Sequence, residues 1–231
     1  MDFATRWPLF GWWLKGWDEL GYVPHVVSAN AAHLGGGPDS KTPRARQSRD
    51  RLLGVMVRKG ITPPDLRVRP ECICAECGPV LGIQHWRNPR GRKNPRKIGR
   101  CGVQYDFVCP NRSCGHRIVT PVTDPVAGVI DWDRTGQRIG DGKPKRKKFT
   151  PYPDSTLALI QAALDRHPHL QHLDDPGPGQ HLIVHIGRDT APRTTAAPLT
   201  TVACTPHHAL IRPAARVEDR TLRMLQPSET A

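Results

Sequence analysis

Long apolar runs are missing from this 231-residue chain, and apolar and aromatic residues are scarce throughout it. Hydrophobic residues make up 37% of the sequence and aromatic residues 6%, whereas Pro and Gly number 24 and 21. No stretch approaches the roughly 18 to 20 apolar residues that span a bilayer. The length allows one ordinary domain or two or three small modules, and the composition favours small modules joined by long loops.

The sequence also lacks the pattern of a secretory leader. Asp2 stands where such a leader carries lysines, and Lys15 and Asp18 interrupt any apolar run near the start. We therefore expect a soluble chain in the cytoplasm with no membrane partner. Seven Cys in such a chain indicate metal or thiol chemistry rather than a disulfide scaffold.

Positive charge is concentrated in the middle third of the chain. The whole sequence carries 34 Lys and Arg against 21 Asp and Glu, a formal net charge of +13. Between Asp65 and Lys148 there are 18 basic and 8 acidic residues, so this third supplies ten of the surplus charges. A focused basic surplus favours a polyanionic partner such as double-stranded DNA, although a merely solvated basic surface gives the same count.

Two close pairs of cysteines predict a metal site. Cys74 and Cys77 form a CxxC pair, and Cys109 and Cys114 form a second pair with four residues between them. Each short loop presents two sulfurs to one ion, which suits tetrahedral Zn²⁺. Because the segment 63–125 has too few apolar residues for its own core, we expect zinc to supply much of its folding free energy in a zinc ribbon.

The sequence leaves the choice of the four ligands open. Cys72, Cys101 or His116 could substitute for one of them. A CxxC pair also occurs in redox proteins, but no βαβ pattern surrounds this one. A closed four-thiolate site leaves no position for a substrate, so the predicted zinc is structural. Cys204 is predicted to be a small, half-buried strand residue.

A basic segment lies between the two cysteine pairs. Residues 87–100 contain seven cations, and a second run follows near residue 145; the cations are Arg87, Arg90, Arg92, Lys93, Arg96, Lys97 and Arg100, and then Lys145, Arg146, Lys147 and Lys148. Such loops neutralise DNA phosphates with an affinity that falls steeply with salt, and they position a protein without reading sequence. Trp86, beside the first run, is expected to pack on the ribbon rather than to stack on a base.

Hydrophobic spacing predicts a loop-rich α+β fold. Apolar residues near the start recur at spacings of three and four, which predicts a helix whose apolar face lies in the core: Trp7, Phe10, Trp13, Leu14 and Trp17. This helix is expected to end near Gly21. Leu157, Ile160 and Leu164 predict a second helix, capped by Asp154 or Ser155. Strands are predicted over residues 23–28, 52–57, 104–108, 182–186, 199–202 and 209–211.

Segments along nearly the whole chain resemble, in order, those of DNA cytosine-5 methyltransferases. Gln47-Ser48-Arg49-Asp50-Arg51, just before an apolar strand, is similar to the family's Gln-x-Arg-x-Arg motif, and Gly21-Tyr22 and Asn30-Ala31-Ala32 precede it as in the family. Four further stretches are similar to the target-recognition region of actinobacterial and phage-type members, which carry a Cys-rich insertion at this place. These stretches are residues 130–132, 136–141, 190–202 and 207–208. Residues 223–229 resemble the start of the Arg-x-Leu…Glu motif that follows that region.

The resemblance implies a reaction on a flipped cytosine. In the family, a Cys thiolate adds to C6 of the extruded base, a Glu assists at the base nitrogen, and C5 takes a methyl group from S-adenosylmethionine. For this chain the resemblance implies a base pocket that includes Gln47, Arg49 and Arg51. Arg51 would donate a hydrogen bond to the base's carbonyl oxygen, and Arg49 would support the pocket and a phosphate.

Three parts of the family pattern are missing. The family's nucleophile lies in a Pro-Cys dipeptide, and no Cys here follows a Pro; the Glu-Asn-Val motif and the Gly-rich cofactor turn are absent too. We therefore expect this chain to be inactive alone, with S-adenosylmethionine bound only in a complete enzyme. The missing half could reside on a separate chain, in the cytoplasm of a bacterium or a phage-infected host.

The sequence thus predicts four parts. Residues 1–62 are expected to form a remnant of the α/β catalytic domain, 63–125 the zinc ribbon, 126–222 a β-rich target-recognition region, and 223–231 the start of the returning catalytic segment. The alternative is a non-enzymatic zinc-ribbon protein that binds DNA or regulates another process.

Overall fold

Antiparallel sheets dominate the structure, a computed structural model that describes residues 7–36, 42–87, 98–143, 148–171, 173, 175–187, 191–201 and 207–229. The chain divides into two compact units, residues 1–123 and 124–231. With several sheets and few helices, the fold is α+β and β-rich, which confirms the predicted class. Among the described residues, no helix is long and apolar enough to cross a membrane.

The described residues of the first unit form one α-helix and seven strands. They are α1 (Phe10–Glu19), β1 (Tyr22–Asn30), β2 (Asp50–Arg58), β3 (Glu71–Cys74), β4 (Gly78–Leu81), β5 (Ile83–Trp86), β6 (Tyr105–Val108) and β7 (Ile118–Pro121), with a 3-10 turn at Ala31–His33. The strands predicted over 23–28, 52–57 and 104–108 are all present, the first two longer than predicted.

Strands β1 and β2 form a long antiparallel pair that carries the first helix. The register runs without a break from Tyr22 opposite Arg58 to Asn30 opposite Asp50. Side chains of a strand alternate between its two faces, and Val26, Leu52 and Met56 lie on the face toward the first helix. Helix α1 packs on that face, where Phe10 and Leu14 are buried against side chains that include Met56.

The tryptophans of helix α1 are only partly in the core. Phe10 and Leu14 are buried, but Trp13 is 40% exposed and Trp12 is 69% exposed. Trp13 instead takes part in a row of ring contacts, 5.9 Å from Phe10 and 6.2 Å from Trp17 between centroids. The prediction that the whole tryptophan face is core was therefore wrong for Trp13, because two strands offer a surface too narrow to cover it.

A five-stranded antiparallel sheet, ordered β4-β3-β7-β6-β5, carries both cysteine pairs. Tyr105 and Phe107 of β6 point to the same side of the sheet and are buried together with Trp86. The Trp86 and Tyr105 rings lie 4.8 Å apart between centroids, and Trp86 is 7% exposed. The prediction that Trp86 packs rather than stacks on a base is confirmed for this structure.

The cysteine-bearing sheet is joined to the β1–β2 pair through Ser28. The Gln84 side chain donates to the Ser28 carbonyl at 3.1 Å, and the Gly99 amide donates to the Ser28 hydroxyl at 3.1 Å. His33 adds an edge-to-face contact with Phe107 at 5.8 Å. Residues 1–62 and 63–123 are therefore packed together in one unit.

The part of the second unit that the structure describes forms a five-stranded antiparallel sheet with one α-helix of 12 residues. Its elements are β8 (Gln137–Arg138), α2 (Asp154–Asp165), β9 (Leu182–His185), β10 (Arg193–Thr194), β11 (His208–Arg212) and β12 (Thr221–Met224), with 3-10 turns at Val126–Gly128, Ile139–Asp141, Pro168–Leu170, Pro178–Gln180, Val217–Asp219 and Pro227–Glu229. The strand order is β10-β9-β11-β12-β8.

Both faces of this sheet are covered. Leu182 and Val184 lie in one core with Ile160 and Leu164 of α2, whereas Ile183 lies in a second core on the other face. Alternation with a period of two explains why strand β9 is buried along its whole length. The predicted helix over Leu157, Ile160 and Leu164 is thus confirmed.

Two details of this unit differ from the predictions. The position before α2 is Pro153, with no side-chain capping bond, so Asp154 and Ser155 lie inside the first turn rather than at the cap. Residues 199–201 form no strand beyond an isolated bridge at Leu199. The prediction for Cys204 falls outside the described residues.

Candidate metal centre

Four cysteine sulfurs converge in the first unit. The Sγ atoms of Cys74, Cys77, Cys109 and Cys114 all lie within 4.8 Å of one another. A tetrahedral site with Zn–S bonds of about 2.3 Å places its sulfurs about 3.8 Å apart. Four thiols at this separation, with no disulfide among them, form a donor set that fits one soft or borderline divalent ion such as Zn²⁺.

Two tight turns present these sulfurs. The first follows β3, where Cys74 pairs with Gly78 across the hairpin and Gly78 adopts φ +74°. The second follows β6, where the Gly115 amide returns to the Arg112 carbonyl at 2.9 Å and Gly115 adopts φ +67°. Each turn needs a left-handed residue just after its second cysteine, and glycine takes that conformation without strain.

The electrostatics of the cluster make one thiol easier to ionise than its neighbour. The amides of Glu76 and Cys77 donate toward the Cys74 sulfur and lower the pKa of Cys74 to about 7. Burial raises the pKa of Cys109 to about 12. A bound cation favours the thiolate form of every ligand.

The three residues that the sequence left as alternative ligands lie outside this cluster. Burial raises the pKa of both Cys72 and Cys101 to about 11, so both stay thiols. His116 places its Nδ1 within 2.9 Å of the Cys109 carbonyl, to which the ring donates. His116 therefore braces the second turn rather than supplying a ligand.

An ion pair links the two turns outside the sulfurs. The Arg117 Nε lies 2.6 Å from a carboxylate oxygen of Glu76, and both side chains are substantially exposed. One partner belongs to each cysteine turn, so the pair bridges the two turns, and its contribution to stability is small because both side chains are exposed.

The Gln-x-Arg-x-Arg motif leads into strand β2. Gln47 lies in an isolated bridge, the Arg49 carbonyl accepts the Ala31 amide at 2.9 Å, and Arg51 lies opposite Ala29 with its side chain exposed. Only Arg51 of the three is in a regular strand.

Asn30 fixes the start of β2, a role that the sequence did not reveal. Its amide nitrogen donates to the Ser48 hydroxyl at 3.0 Å and to the Asp50 carboxylate at 3.2 Å, and its side-chain oxygen accepts the Ala32 amide at 3.0 Å. Asn is a frequent residue at such turns because its side chain imitates the backbone. Burial raises the pKa of Asp50, against the opposing effects of Asn30 and the Arg100 charge.

A cavity of about 740 Å³ opens on the face of β2 that carries Arg51. Since side chains alternate along a strand, Arg51, Leu53 and Val55 share one face. Two residues of that face, Leu53 and Val55, line the cavity together with Val27, Ala29, His33 and residues 65–71, whereas Arg51 is not among its lining residues. The Nδ1 of His33 is buried without a hydrogen-bond partner, and burial lowers the pKa of His33 to about 4.

Most of the cations predicted to bind DNA lie outside the described residues. These are Arg90, Arg92, Lys93, Arg96 and Lys97, within residues 88–97, and Lys145, Arg146 and Lys147, within residues 144–147. Lys148 and Arg100 are described and exposed. Arg87 binds the Asp106 carboxylate through two nitrogens, at 2.7 and 2.9 Å, so its charge is already compensated.

The residues on either side of the 88–97 segment are firmly held. Trp86 is buried before it, and Ile98 is buried after it against Phe10 and Leu14. A Cβ on Gly99 would lie 2.5 Å from the Gln104 side chain, so this position accepts only glycine without a shift. The residues that flank the basic segment on both sides are therefore packed in the first unit.

Comparison with protein-family models, with curated proteins and with solved structures finds no match to this chain. The methyltransferase resemblance therefore stays a prediction that rests on the motifs themselves.

A buried ion pair in the second unit joins segments that are far apart in sequence. Arg223 and Glu229 form a two-pronged pair at 2.6 and 2.8 Å, and Glu229 is 2% exposed. The pair also holds residue 131, since the Asp131 amide donates to Glu229 at 2.9 Å and Arg223 donates to the Asp131 carbonyl at 2.9 Å. The motif resemblance marked these segments, but the local sequence does not predict the contact.

Thr200 is another polar centre that the sequence did not reveal. Its hydroxyl bonds to His185 and His208, which face each other across strands β9 and β11. Both imidazoles are buried, at 5% and 3% exposed. A hydroxyl can donate to one ring and accept from the other, so Thr200 can link the two imidazoles.

Proposed function

We propose that this chain is a portion of a DNA cytosine-5 methyltransferase that supplies DNA recognition and one wall of the pocket for a flipped cytosine. The proposal rests on the motif order along the sequence. The structural observation that supports it best is the exposed Arg51, two residues before Leu53, which lines a cavity of about 740 Å³. A guanidinium there offers several fixed donors to a base carbonyl and stays charged at all working pH values.

The cysteine cluster fits a supporting role in this proposal. Four thiolates around Zn²⁺ close its coordination shell, so the ion would shape a zinc ribbon and would not take part in methyl transfer. The ribbon and the β1–β2 pair belong to one packed unit and share Ser28 as a contact. Zinc in this place would therefore also stabilise the wall that carries Arg51.

The methyl group would come from S-adenosylmethionine. Two glycines of the Gly35-Gly36-Gly37 run lie within the described residues, and both already have close neighbours: a Cβ on Gly35 would lie 2.6 Å from the Thr42 carbonyl oxygen, and one on Gly36 would lie 2.6 Å from the Arg44 side chain. No Pro-Cys dipeptide is present for the nucleophile. In the proposal, both functions belong to a separate chain, and this chain orients the base and holds the duplex.

Reconstitution tests this proposal. The zinc-loaded chain is mixed with the product of an upstream reading frame that encodes Pro-Cys and Glu-Asn-Val motifs, together with duplex DNA and methyl-labelled cofactor. We expect no label in DNA with either chain alone and clear incorporation with both. Arg51→Ala should lower the incorporation rate by about tenfold or more, since a hydrogen bond from a charged donor to the base is lost.

The matched control is Arg58→Ala, which removes an exposed arginine from the other end of the same strand and should leave the rate unchanged. Equal losses in both variants would contradict the role given to Arg51. Robust label transfer by this chain alone would contradict the absence of a nucleophile.

The alternative, a non-enzymatic zinc-ribbon protein that binds DNA, is favoured by one observation: the described residues contain a complete four-thiol set, whereas the catalytic motifs are absent from the sequence. DNA binding and zinc content without methyl transfer, in the presence of any chain that carries the missing motifs, would support this alternative over the methyltransferase.

A further inference from the structure

Helix α1 has a second apolar face beside the face that packs on strands β1 and β2. This outer stripe consists of five apolar residues at helical spacing, namely Leu9, Trp12, Trp13, Gly16 and Leu20. The Leu20 amide donates to the Gly16 carbonyl at 3.0 Å, so helical geometry extends to the last residue of the stripe. In chain order, the two Leu and two Trp residues are 57%, 69%, 40% and 71% exposed. A contiguous apolar stripe of this kind indicates a contact surface.

The exposed area of the outer stripe is what one copy contributes to a dimer interface. Since a whole Trp side chain presents about 250 Å², the exposed parts of the two Trp and two Leu residues amount to about 500 Å². Stable interfaces bury about 800 Å² on each partner, and homodimer interfaces are about 65% apolar, which corresponds to about 520 Å² of apolar surface. The stripe therefore supplies almost all the apolar area that a standard homodimer needs.

The outer stripe has an indentation at Gly16 that a Trp side chain of a second copy can fill. A Cβ added to Gly16 would meet no neighbouring atom of the described residues within 4 Å, so the space above this residue is open. Trp13 and Gly16 lie near the middle of the stripe, with one Leu at each end. When two copies of the helix pack antiparallel about a twofold axis, Trp13 comes opposite Gly16 of the second copy, and Leu9 comes opposite Leu20. An isologous interface needs such self-complementarity because every contact occurs twice.

The two Trp rings of the stripe already have neighbours in the single chain. The Trp13 ring lies 5.9 Å from the Phe10 ring between centroids, and a Cβ added to Gly54 of strand β2 would lie 3.8 Å from it. The Lys15 ammonium lies 5.4 Å from the centroid of the Trp12 ring. Rings that are held in this way lose little conformational entropy when a partner covers them, and Trp is enriched among the residues that dominate interface energetics.

The charge of helix α1 favours a second copy over an anionic partner. Lys15 pairs with Glu19 at 3.6 Å, and Lys59, in the turn after β2, pairs with Asp18 at 3.0 Å. These four charges cancel, in a chain whose formal net charge is +13. Because copies of a basic chain repel one another, a balanced apolar surface is where two of them can approach. A helix that lies on an anionic membrane carries an excess of Lys and Arg on its polar face instead.

We infer that the outer stripe of α1 binds the same stripe of a second copy of this chain, so that the protein forms a twofold-symmetric dimer. The two helices pack antiparallel, with a Trp of each copy over Gly16 of the other. This inference is independent of the proposed function, since it uses no residue of the base pocket or of the metal centre.

The mass of the full zinc-loaded chain in solution tests the inference. Sedimentation velocity is measured from about 1 to about 100 µM, a range suited to an interface of this size. We expect a species of twice the 25.7 kDa chain mass. Trp12→Ala should raise the dimer dissociation constant by about a hundredfold, because a Trp contact is lost twice in an isologous interface. The matched control is Ile118→Thr, at a 72% exposed apolar position of strand β7, which should leave the constant unchanged.

Gly16→Leu separates a specific contact from general apolar association. The added side chain enters open space and Leu is the better helix former, so the folded chain should be kept. It also enlarges the apolar surface, which would strengthen non-specific association. Packing at the indentation should instead weaken by about tenfold or more, because the space for the Trp of the second copy is filled.

Photo-cross-linking checks the position of the contact directly. A benzophenone-bearing amino acid is placed at position 12 of the full chain, and the dimer is irradiated. The cross-link should join this position to residues 9–20 of the second copy, as found by mass spectrometry. A cross-link to any other part of the second copy would overturn the twofold contact.

Other results would also overturn the inference. These are a chain that stays monomeric over the whole concentration range, equal losses in Trp12→Ala and Ile118→Thr, or a tighter dimer in Gly16→Leu. A monomer whose stripe binds mixed vesicles of phosphatidylcholine and phosphatidylserine would identify a membrane surface. A monomer that pairs only with the separate chain of the proposed function would assign the stripe to that chain. Zinc content and the thermal unfolding midpoint are compared with the parent chain to exclude misfolded variants.

Discussion

At the scale of single residues, a few buried polar groups hold segments that the sequence separates widely. Asn30 ties the turn after β1 to the start of β2, and the Arg223–Glu229 pair ties residue 131 to the other end of its unit. Each satisfies donors and acceptors that burial would otherwise leave unpaired, a cost of about 1 to 3 kcal/mol for each group. These residues are where single substitutions should act most strongly.

His33 should make the first unit sensitive to acid. Its pKa is about 4 in the folded chain, below the ordinary 6.5, because burial disfavours the charged ring. Between these two pH values the His33 ring is protonated in the unfolded chain but not in the folded chain. The free energy of unfolding therefore falls as the pH drops from about 6.5 to about 4. We expect a loss of about 1 kcal/mol between pH 7.5 and pH 5 in urea unfolding, after allowance for partial exposure.

Replacing His33 with Asn should flatten this dependence. Replacing the exposed His85 of strand β5 should leave it unchanged. Zinc content is assayed at each pH, since acid also protonates thiolates. An unchanged pH dependence in the His33 variant would show that this ring is not responsible.

Breaking the Arg223–Glu229 pair should destabilise the second unit. Arg223→Ala leaves the Glu229 carboxylate, 2% exposed, without its cation. Burial would raise the pKa of Glu229, but Arg223 and the amides of Gln226 and Asp131 more than offset this and lower it. We expect a loss of about 3 to 5 kcal/mol in the free energy of unfolding. The loss is measured by denaturant titration with Trp132 fluorescence as the probe. Arg216→Ala, at an exposed site, should cost less than about 0.5 kcal/mol.

At the scale of elements, local sequence signals predicted the helices and five of the described strands, but they missed the short strands β3, β4, β5, β7, β8, β10 and β12 and the pairing between strands. The two cysteine turns could be predicted because each short loop presents two sulfurs to one ion, but only the fold shows that Cys72, Cys101 and His116 lie outside the cluster. The strands around residues 25, 55, 106, 184 and 210 followed from short apolar runs. Trp13 was misjudged because its exposure depends on how much surface the β1–β2 pair offers, and the Asp131–Glu229 contact spans 98 residues.

The cysteine turns should bind about one zinc per chain. A Cys74→Ser/Cys77→Ser variant should lose the metal and much of the folded structure of the first unit, because the ion and the fold are coupled. Cys72→Ser and Cys101→Ser should keep the metal, since both sulfurs lie outside the cluster. Elemental analysis with far-ultraviolet circular dichroism measures both effects. Zinc retained by the double variant would contradict the ligand assignment.

At the scale of the whole molecule, the positive charge counted in the sequence differs from the charge that the folded protein leaves uncompensated. Residues 65–148 supply ten of the thirteen surplus positive charges, yet the described cations there include Arg87, already paired with Asp106. The sequence could predict a polyanion partner from this surplus, but it could not show which arginines are compensated, because an ion pair depends on the folded arrangement of side chains.

Neutralising the cations of residues 87–100 should weaken binding to unrelated duplexes alike. The salt slope should fall by about one for each phosphate contact removed. Arg87→Gln should have a smaller effect than Arg100→Gln, because Asp106 already balances Arg87. The measurement is a salt series on two duplexes of different sequence. A loss confined to one duplex would contradict a role in phosphate contact.

The position of the cysteine pairs has a consequence for a chain that a protease has cleaved once. Cys74 and Cys77 precede the 88–97 segment, and Cys109 and Cys114 follow it. A metal ion held by all four would join the two fragments left by a protease that cleaves among those lysines and arginines. The nicked protein would then migrate as one species under native conditions, and a chelator would release the amino-terminal fragment from the rest.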